Sequence, residues 1–469
     1  MKHNHGKKVQ KKVNVTGEKS TSKSIHFTPN LKPSMITRKY LDTKDLKVAC
    51  ILDNFSYSAY KYEADFLQLS VEHYGSELNQ FQPDLLFIES AWRGKDGLWG
   101  SKVGHADREV IEILQWCQKN NIPTVFWNKE DPVHFKSFLN VAKLFDYVFT
   151  TDMDCIQRYK QTLKHDRVYL LPFAFQPKLH NPISEFERIN GVCFAGAYYK
   201  KYQERNTNMS DILTGIQGEI NYDIYDRNYL EENPEYEFPH KFTQYIVGTL
   251  QFDEINLAYK GYDIGLNLNT IKHSPTMFAR RVFELMASNT LIFSNYSRGI
   301  ELLFGDLVFN SDSGVEILKN YKSFSKTELE EIKLMGVRNV FSQHTYEHRF
   351  HHIISKISLQ KPPRINRRVL VVSIVENADE ANRIVSFFEI QEYVECSLLL
   401  FKTEDFDFIS DDEDIEILDL GTLDIHFFEE LMKDSEYLSP FHVNSTYGPH
   451  FIQDMVHATK YVEDRAITK

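Results

Sequence analysis

Arg281 and Glu284 are the two residues of this chain whose types and spacing best suit ligand chemistry. They are three positions apart, so they would share one face of a helix. Ser274 suits the N-cap of that helix, and Pro275 suits its first position. Free N–H groups at a helix start bind phosphate, and a carboxylate further along can accept hydrogen bonds from a ribose. These residues would form half of a nucleotide-diphosphate site, although the same spacing is also typical of a solvated ion pair.

The elements that must position this pair are short apolar runs of strand type that alternate with helical stretches. One series comprises residues 48–52, 84–89, 123–127, 147–150 and 168–171, and a second comprises residues 192–196, 220–224, 264–268 and 291–293. This alternation predicts parallel sheets covered by helices on both faces. Ligands bind such sheets at the carboxyl ends of the strands. The residues of interest after the first series are Asp53, Glu89, Asn128, Glu130 and Thr151.

Changes in composition divide the chain into four parts. Residues 1–45 are polar and lysine-rich, which predicts a flexible basic arm, either a solubilising tail or a contact to an acidic surface or anionic lipid. Residues 46–182 are predicted to form one Rossmann-like domain that ends in a proline-rich linker, and residues 183–360 a second. Residues 366–469 begin a third, incomplete unit. The predicted fold class is α/β, with two doubly wound Rossmann-like domains and a partial third α/β domain.

The composition excludes several classes of protein. A net charge of −12 argues against a general nucleic-acid binder. No apolar run approaches the ~18 residues of a membrane span, and the N-terminus does not read as a signal peptide. The 5 cysteines lack metal-ligand spacing and suit a reducing compartment, which predicts a cytoplasmic protein. The 34 phenylalanines and 25 tyrosines indicate either a large core or stacking on sugar rings.

Two tracts resemble a known family. Residues 123–159 contain the loop W-x-x-E-D-P-x-H-F, and residues 264–304 contain GLNLN followed by RVFELMASNTLIFSN. They resemble the two domains of the CgeB-like (spore-maturation type) glycosyltransferases. This implies that residues 46–182 form the acceptor-side domain and residues 183–360 the nucleotide-sugar-binding domain. The resemblance covers approximately residues 46–358. It implies a GT-B fold, transfer of a sugar from a nucleotide diphosphate to an acceptor, and no essential metal or other cofactor.

The resemblance also implies roles for residues of the second domain. Glu284 would accept hydrogen bonds from the ribose hydroxyls, and Arg281 and Arg280 would face the diphosphate. In a transferase without a divalent cation, such cations must stabilise the leaving group. The other expected phosphate contacts are the backbone at Gly196, the side chain of Lys201 or Arg205, and the hydroxyls of Ser274 and Thr276. Lys201 suits a solvated loop equally well.

Thr276 departs from the better-known GT-B pattern, because many retaining members have a second glutamate at that place. Neither retention nor inversion therefore follows from the sequence. An inverting mechanism needs a base for the acceptor hydroxyl. The candidates are Glu130, Asp131 and His134, in a loop expected to face the cleft, with Glu89 as a weaker one. The Asp-Pro step in this loop is equally compatible with a purely structural turn.

The third unit resembles the start of a GT-A, family-2-like glycosyltransferase domain. Residues 369–393 match its opening, but the place of its Asp-x-Asp metal motif reads His442-Val443-Asn444-Ser445. Without carboxylates no magnesium or manganese site is expected there, and the unit is interpreted as non-catalytic. A second metal-like feature is expected to be core or surface histidines: His344, His348, His351 and His352.

The predicted function is transfer of a sugar from a nucleotide-diphosphate donor to a glycan, teichoic-acid-like or protein acceptor of the cell envelope. The basic arm is compatible with peripheral membrane contact, and nucleic acid is not expected as a partner. The alternative is a non-catalytic nucleotide-sugar- or glycan-binding subunit of another transferase. A nicotinamide dehydrogenase is disfavoured because no G-x-G-x-x-G follows a predicted strand.

Overall fold

Three parallel β-sheets organise the part of the chain that the structure describes. The structure is a computed structural model, and it describes residues 27–410, 412–422, 426, 429–430, 432–464 and 466–468. Two six-stranded sheets form two doubly wound, Rossmann-like domains, and a four-stranded sheet forms a smaller α/β unit. The predicted fold class is therefore confirmed.

The sheet of the first domain contains β1 (Lys47–Ile51), β2 (Asp65–Gln68), β3 (Leu85–Glu89), β4 (Thr124–Asn128), β5 (Tyr147–Thr150) and β6 (Val168–Leu170). Its strand order is β2-β1-β3-β4-β5-β6. The order reverses between β1 and β3, and ligands of such sheets bind at this switch point. The short edge strand β2 is the one strand of this sheet that the sequence did not predict.

The sheet of the second domain contains β7 (Ile189–Gly196), β8 (Tyr222–Asp226), β9 (Ile246–Gly248), β10 (Tyr262–Asn267), β11 (Leu291–Ser294) and β12 (Phe309–Asn310). Its order is β12-β11-β10-β7-β8-β9, so the switch point lies between β7 and β10. The short edge strands β9 and β12 are absent from the predicted set.

Helices cover these two sheets. Those of the first domain are α1 (Asn54–Tyr60), α2 (Tyr74–Phe81), α3 (Lys102–His105), α4 (Arg108–Lys119), α5 (Phe135–Ala142) and α6 (Met153–Leu163). Those of the second are α7 (Gln203–Ile216), α8 (Ile255–Lys260), α9 (Arg281–Ala287), α10 (Arg298–Phe304), α11 (Gly314–Lys322), α12 (Lys326–Gln343) and α13 (Tyr346–Ile357). Both faces of the first sheet are buried, since Val48 and Cys50 enter one core and Ala49 and Ile51 another.

The last helix of the second domain, α13, packs against the first domain. The rings of Tyr346 and Tyr60 have centroids 4.7 Å apart. The Arg349 guanidinium donates to the carbonyl oxygens of Pro172 and Phe173, each at 2.9 Å. The two domains are therefore joined by a packed helix as well as by the proline-rich linker.

The chain packs against this junction earlier than residue 46, the predicted start of the first domain. The Ile36 N–H donates to the Ile357 carbonyl at 2.8 Å, and the Tyr40 hydroxyl donates to Ser358 Oγ at 3.1 Å. Ile36 and Tyr40 are both buried. Residues 1–26 of the predicted basic arm lie outside the described residues.

The third unit contains β13 (Val369–Val375), β14 (Cys396–Lys402), β15 (Ile415–Asp419) and β16 (Tyr437–Pro440), with α14 (Ala378–Glu389) and α15 (Phe451–Ala458). Its sheet has the order β15-β14-β13-β16. Helix α15 docks on α12, where Arg338 and Asp454 pair at 2.8 and 2.7 Å. The likeness of this unit to a GT-A domain stays a prediction. Of the helices in the described chain, none combines the length and the apolar character needed to cross a membrane.

Candidate functional site

A cavity of about 1030 Å³ lies between the two Rossmann-like domains. Its lining combines residues near the ends of β1 and β3 with residues at and after the ends of β7 and β8. These positions lie beside the switch points of both sheets, where doubly wound domains bind ligands. Arg280, Arg281 and Glu284 line the cavity, as the sequence predicted for one shared site.

Helix α9 begins at Arg281, so the predicted helix start at Pro275 is wrong. The Ala279 N–H donates to Asn269 Oδ1 at 2.9 Å instead of to a carbonyl one helical turn earlier. The Ser274 hydroxyl accepts from the N–H groups of Thr276 and Met277, so it closes a turn in this irregular segment. Ser274 and Thr276 were predicted to contact phosphate from the start of this helix, but the helix does not begin there.

The Glu284 carboxylate is buried at the floor of the cleft. It accepts a hydrogen bond from the Tyr259 hydroxyl at 2.9 Å, pairs with the Arg280 guanidinium, and lies 4.0 Å from His180 Nε2. Burial raises the pKa of Glu284, but its charged and hydrogen-bonding neighbours, Arg280 foremost, more than offset this and hold the pKa below its ordinary value. Burial lowers the pKa of His180 to about 4, so this imidazole is neutral near pH 7. A charged carboxylate that faces a cavity can accept hydrogen bonds from hydroxyl groups.

Three further arginines lie near one another: Arg227 and Arg281 line the cavity with Glu284, whereas the predicted Arg205 lies next to them outside the lining. Arg281 donates from Nη2 to the Ala195 carbonyl at 2.5 Å, while the Nε of Arg281 is buried without a hydrogen-bond partner. Arg205 is also buried, and its Nη1 lacks a partner. Burial and the neighbouring Arg281 lower the pKa of Arg205 to about 10, and the same two causes lower the pKa of Arg227. Because these three cations repel one another, a bound anion would stabilise the cluster.

No carboxylate within the described residues forms an ion pair with Arg205, Arg227 or Arg281. Guanidinium groups suit phosphate because their N–H groups form two parallel hydrogen bonds with its oxygens. The arrangement can therefore bind a compact polyanion next to a carboxylate that accepts from hydroxyl groups.

Gly196 lies at the end of β7, directly under this cluster. A Cβ atom at this position would come within 2.6 Å of the Phe194 ring and 3.2 Å of Arg281 Nη2. Glycine is therefore needed here chiefly because of the Phe194 ring, and the Arg281 guanidinium packs close to the same position. Lys201 is exposed, with its ammonium over the Tyr202 ring at 4.8 Å, and it lies outside the cavity lining found in the described chain.

Thr276 has a different role from the predicted one. Its hydroxyl donates to the Thr151 carbonyl and accepts from the Met153 N–H, both at 2.9 Å. Both partners belong to the first domain, so Thr276 bridges the two domains rather than facing the cavity.

The cavity lining does not include the candidate bases Glu130, Asp131 and His134, which lie near the wall of the cleft. Asp131 is fully buried and accepts from Asn128 Nδ2 at 2.9 Å and from Thr150 Oγ1 at 2.6 Å. Burial raises the pKa of Asp131 to about 7. These contacts favour the structural turn over the catalytic role that the sequence left open.

Glu89, the weaker candidate base, belongs to a buried charge network behind the cavity wall. It accepts from Lys129 Nζ at 2.7 Å and from the Asp53 N–H at 2.6 Å. Lys129 also donates to an Asp53 carboxylate oxygen at 2.7 Å. Glu89 is fully buried, whereas Asp53 lines the cavity.

Sequence reasoning missed Arg227, Tyr259 and His180. Arg227 directly follows β8. Ligands bind at the carboxyl ends of parallel strands, so its position after a predicted strand of the second domain was a signal for it. Tyr259 lies within α8, and His180 lies in the linker; no spacing or motif marks either. The four histidines between residues 344 and 352 do not form a metal site. Among the described residues, no three or more histidine, cysteine or carboxylate side chains are grouped so that they could hold a metal ion.

The second domain also matches a known family. Residues 213–355 match the model of the family described as Glycosyl transferase-like. This segment is similar to that family. It contains Arg227, Tyr259, Arg280, Arg281 and Glu284, so the match covers most of the site on this side of the cleft. No curated protein matches the chain.

Several solved structures are similar to the chain at low identity. A glycosyltransferase from Rickettsia africae is 9% identical with a TM-score of 0.43, over 66% of this chain and 89% of that one. The N-terminal domain of trehalose-6-phosphate phosphatase from Candida albicans is 8% identical with a TM-score of 0.44, over 69% and 99%. A TarM mutant from S. aureus, in complex with fondaparinux, α-GlcNAc-glycerol and UDP, is 9% identical with a TM-score of 0.40, over 60% and 57%. These values are too low to assign a function to this chain.

Proposed function

We propose that the interdomain cleft binds a nucleotide-diphosphate sugar and that the protein transfers the sugar to a glycan acceptor. The observation that carries this proposal is the pair Arg227 and Arg281, two cavity-lining cations without a carboxylate partner in the described chain, beside the buried carboxylate of Glu284. Arg205 adds a third positive charge next to them, outside the cavity lining. The arginines suit a diphosphate, and Glu284 suits the hydroxyls of a ribose. The glycosyl transferase-like match of residues 213–355 supports the same function.

In the proposed reaction an acceptor hydroxyl forms a bond to the anomeric carbon of the donor sugar. The bond between that carbon and the diphosphate oxygen breaks, and its electron pair leaves with the nucleotide diphosphate. The proton of the acceptor hydroxyl passes to water or to the departing diphosphate. Negative charge therefore grows on the leaving group, where preorganised cations lower the barrier most. Arg227 and Arg281 are placed for this role, so the proposed mechanism does not require a divalent cation.

The proposal also includes two predictions from the sequence, the CgeB-like subtype and an acceptor in the cell envelope. The CgeB-like subtype rests on the tracts at residues 123–159 and 264–304. An acceptor in the cell envelope rests on that resemblance alone. The alternative, a non-catalytic binding subunit, shares the donor site and differs only in the absence of turnover.

Calorimetry with UDP, GDP and dTDP tests the donor site. We expect at least one of these nucleotides to bind the wild type, and Arg227→Ala to weaken its binding about 10- to 100-fold, which is about 1.4–2.8 kcal/mol. Arg364→Ala is the matched control, because Arg364 is 78% exposed and pairs with Glu395 in the third unit, outside the cleft. Unchanged affinity in Arg227→Ala, or equal losses in the two variants, would refute the assignment.

A further inference from the structure

The loop of residues 92–97 follows β3 and forms the wall of the cleft on the first domain. The Asp53 carboxylate accepts three of its N–H groups, from Trp92 at 3.1 Å and from Arg93 and Gly94 at 2.8 Å each. Asp53 is in turn held by the buried Lys129 at 2.7 Å. The loop is therefore fixed to the switch point of its sheet by a charge network.

The backbone of this loop has an unusual shape that its surroundings maintain. Gly94, Asp96 and Gly97 have positive φ angles of 63°, 55° and 75°. A non-glycine residue in the left-handed region, such as Asp96, is uncommon and is often found at functional sites. The buried Trp99 packs beneath, and a Cβ atom at Gly94 would come within 2.7 Å of it.

Trp92 is the most prominent side chain of the loop. Its ring packs edge-on against His134 at 4.9 Å and Phe138 at 5.4 Å, yet 47% of the residue is exposed. Burial raises the pKa of Glu130, and the adjacent Lys129 and Trp92 partly offset this. The predicted bases Glu130 and His134 thus lie against Trp92, which they hold in place at the cleft.

The chemistry of the loop indicates a sugar ring as its ligand. The indole of Trp92 is exposed and held in place by its neighbours. Its flat apolar face can therefore stack on the C–H face of a pyranose ring. The Asp96 carboxylate lines the same cavity and can accept from sugar hydroxyls. Arg227, Arg281 and Glu284 line this cavity from the second domain, so a ligand on Trp92 would face a donor held there.

We propose that residues 92–97 form the acceptor subsite, in which Trp92 stacks on a sugar ring of a glycan and Asp96 accepts hydrogen bonds from its hydroxyls. This inference rests on the proposed function, because it places the acceptor opposite the donor. It assigns Trp92 to recognition of the acceptor and not of the nucleotide.

Tryptophan fluorescence tests the subsite. The probes are maltotetraose, cellotetraose, chitotetraose and mannotetraose, each added at saturating concentrations of the nucleotide that binds in calorimetry. We expect at least one probe to protect the wild type from acrylamide quenching. Trp92→Phe should lose this protection. In calorimetry, Trp92→Ala should bind the probe about tenfold more weakly, with nucleotide affinity unchanged. Trp116→Phe is the control, since Trp116 lies on α4 and is hydrogen-bonded to Asn79 outside the cleft.

The outcomes separate this inference from the proposed function. If a nucleotide binds but no probe alters the fluorescence, or if Trp92→Phe keeps the protection, the acceptor subsite is refuted and the donor site stands. If Trp92→Ala weakens the nucleotide instead of the probe, Trp92 stacks on the nucleobase and the inference is also wrong. If no nucleotide binds the wild type, the proposed function itself fails.

Discussion

Glu284 illustrates how one residue can serve both the fold and a ligand. Its carboxylate pairs with Arg280 and accepts from Tyr259, and both contacts fix its orientation at the floor of the cavity. The pair was visible in the sequence as Arg281 and Glu284, but the partner of Glu284 is Arg280, at the i,i−4 position. Arg281 is instead directed to Ala195 and the unpaired arginines. Spacing identified the site but not the pairing, because residues at i−3 and i−4 can both reach Glu284, and the contact of Arg281 with Ala195 is not visible in the sequence.

The role of Asp131 can be decided through pH. Its folded-state pKa is raised to about 7 by burial, whereas an unfolded chain has the ordinary value near 4. Between these two values the unfolded chain releases a proton that the folded protein retains, so the free energy of unfolding falls as the pH rises through this window.

We therefore predict that Asp131→Asn unfolds with a weaker dependence on pH between about 4 and 7 than the wild type. Urea denaturation at pH 5 and pH 7.5 measures this difference. Nucleotide affinity should be unchanged, since Asp131 contacts Asn128 and Thr150 away from the cavity. Loss of sugar transfer with an unaltered pH dependence of stability would instead support Asp131 as the base.

At the scale of elements, alternation of apolar runs with helical stretches predicted nine of the strands in the two Rossmann-like domains of the described chain. The edge strands β2, β9 and β12 escaped because they have only 4, 3 and 2 residues, which is too short for a clear apolar pattern. The start of α9 escaped for another reason. The side chain of Asn269 accepts a hydrogen bond from the Ala279 N–H, ten positions along the chain, and no sequence pattern indicates this contact.

The end of β7 offers a direct test of how an element positions the site. Gly196→Ala should weaken nucleotide binding about tenfold, because the new methyl group would contact Phe194 and displace Arg281. Gly75→Ala is the matched control, since Gly75 lies in α2 and a Cβ atom there meets nothing within 4 Å. Calorimetry and thermal melting of both variants give the comparison. Wild-type affinity in a folded Gly196→Ala variant would show that Arg281 does not depend on this close approach.

At the scale of the whole molecule, the cleft is shaped by contacts that cross between the domains. The Thr276 hydroxyl binds the backbone at Thr151 and Met153, and the Arg280 guanidinium lies 4.5 Å from the centre of the Phe55 ring. Helix α13 packs on the first domain, and the third unit docks on α12. None of these long-range contacts follows from local sequence patterns, whereas the two-domain architecture does. Residues from both domains must therefore act together if the cleft transfers a sugar.

Release of nucleotide from sugar donors is the most direct test of this account. Wild-type protein incubated with UDP-, GDP- and dTDP-sugars plus the glycan probes should release the nucleotide diphosphate of at least one donor, and Arg364→Ala should match it. Arg227→Ala should release at least about tenfold less, since a cation at the leaving group lowers the barrier to its departure. Tight binding without release in the wild type would contradict the enzyme and favour the binding subunit. Equal release by Arg227→Ala and Arg364→Ala would contradict the assigned donor site.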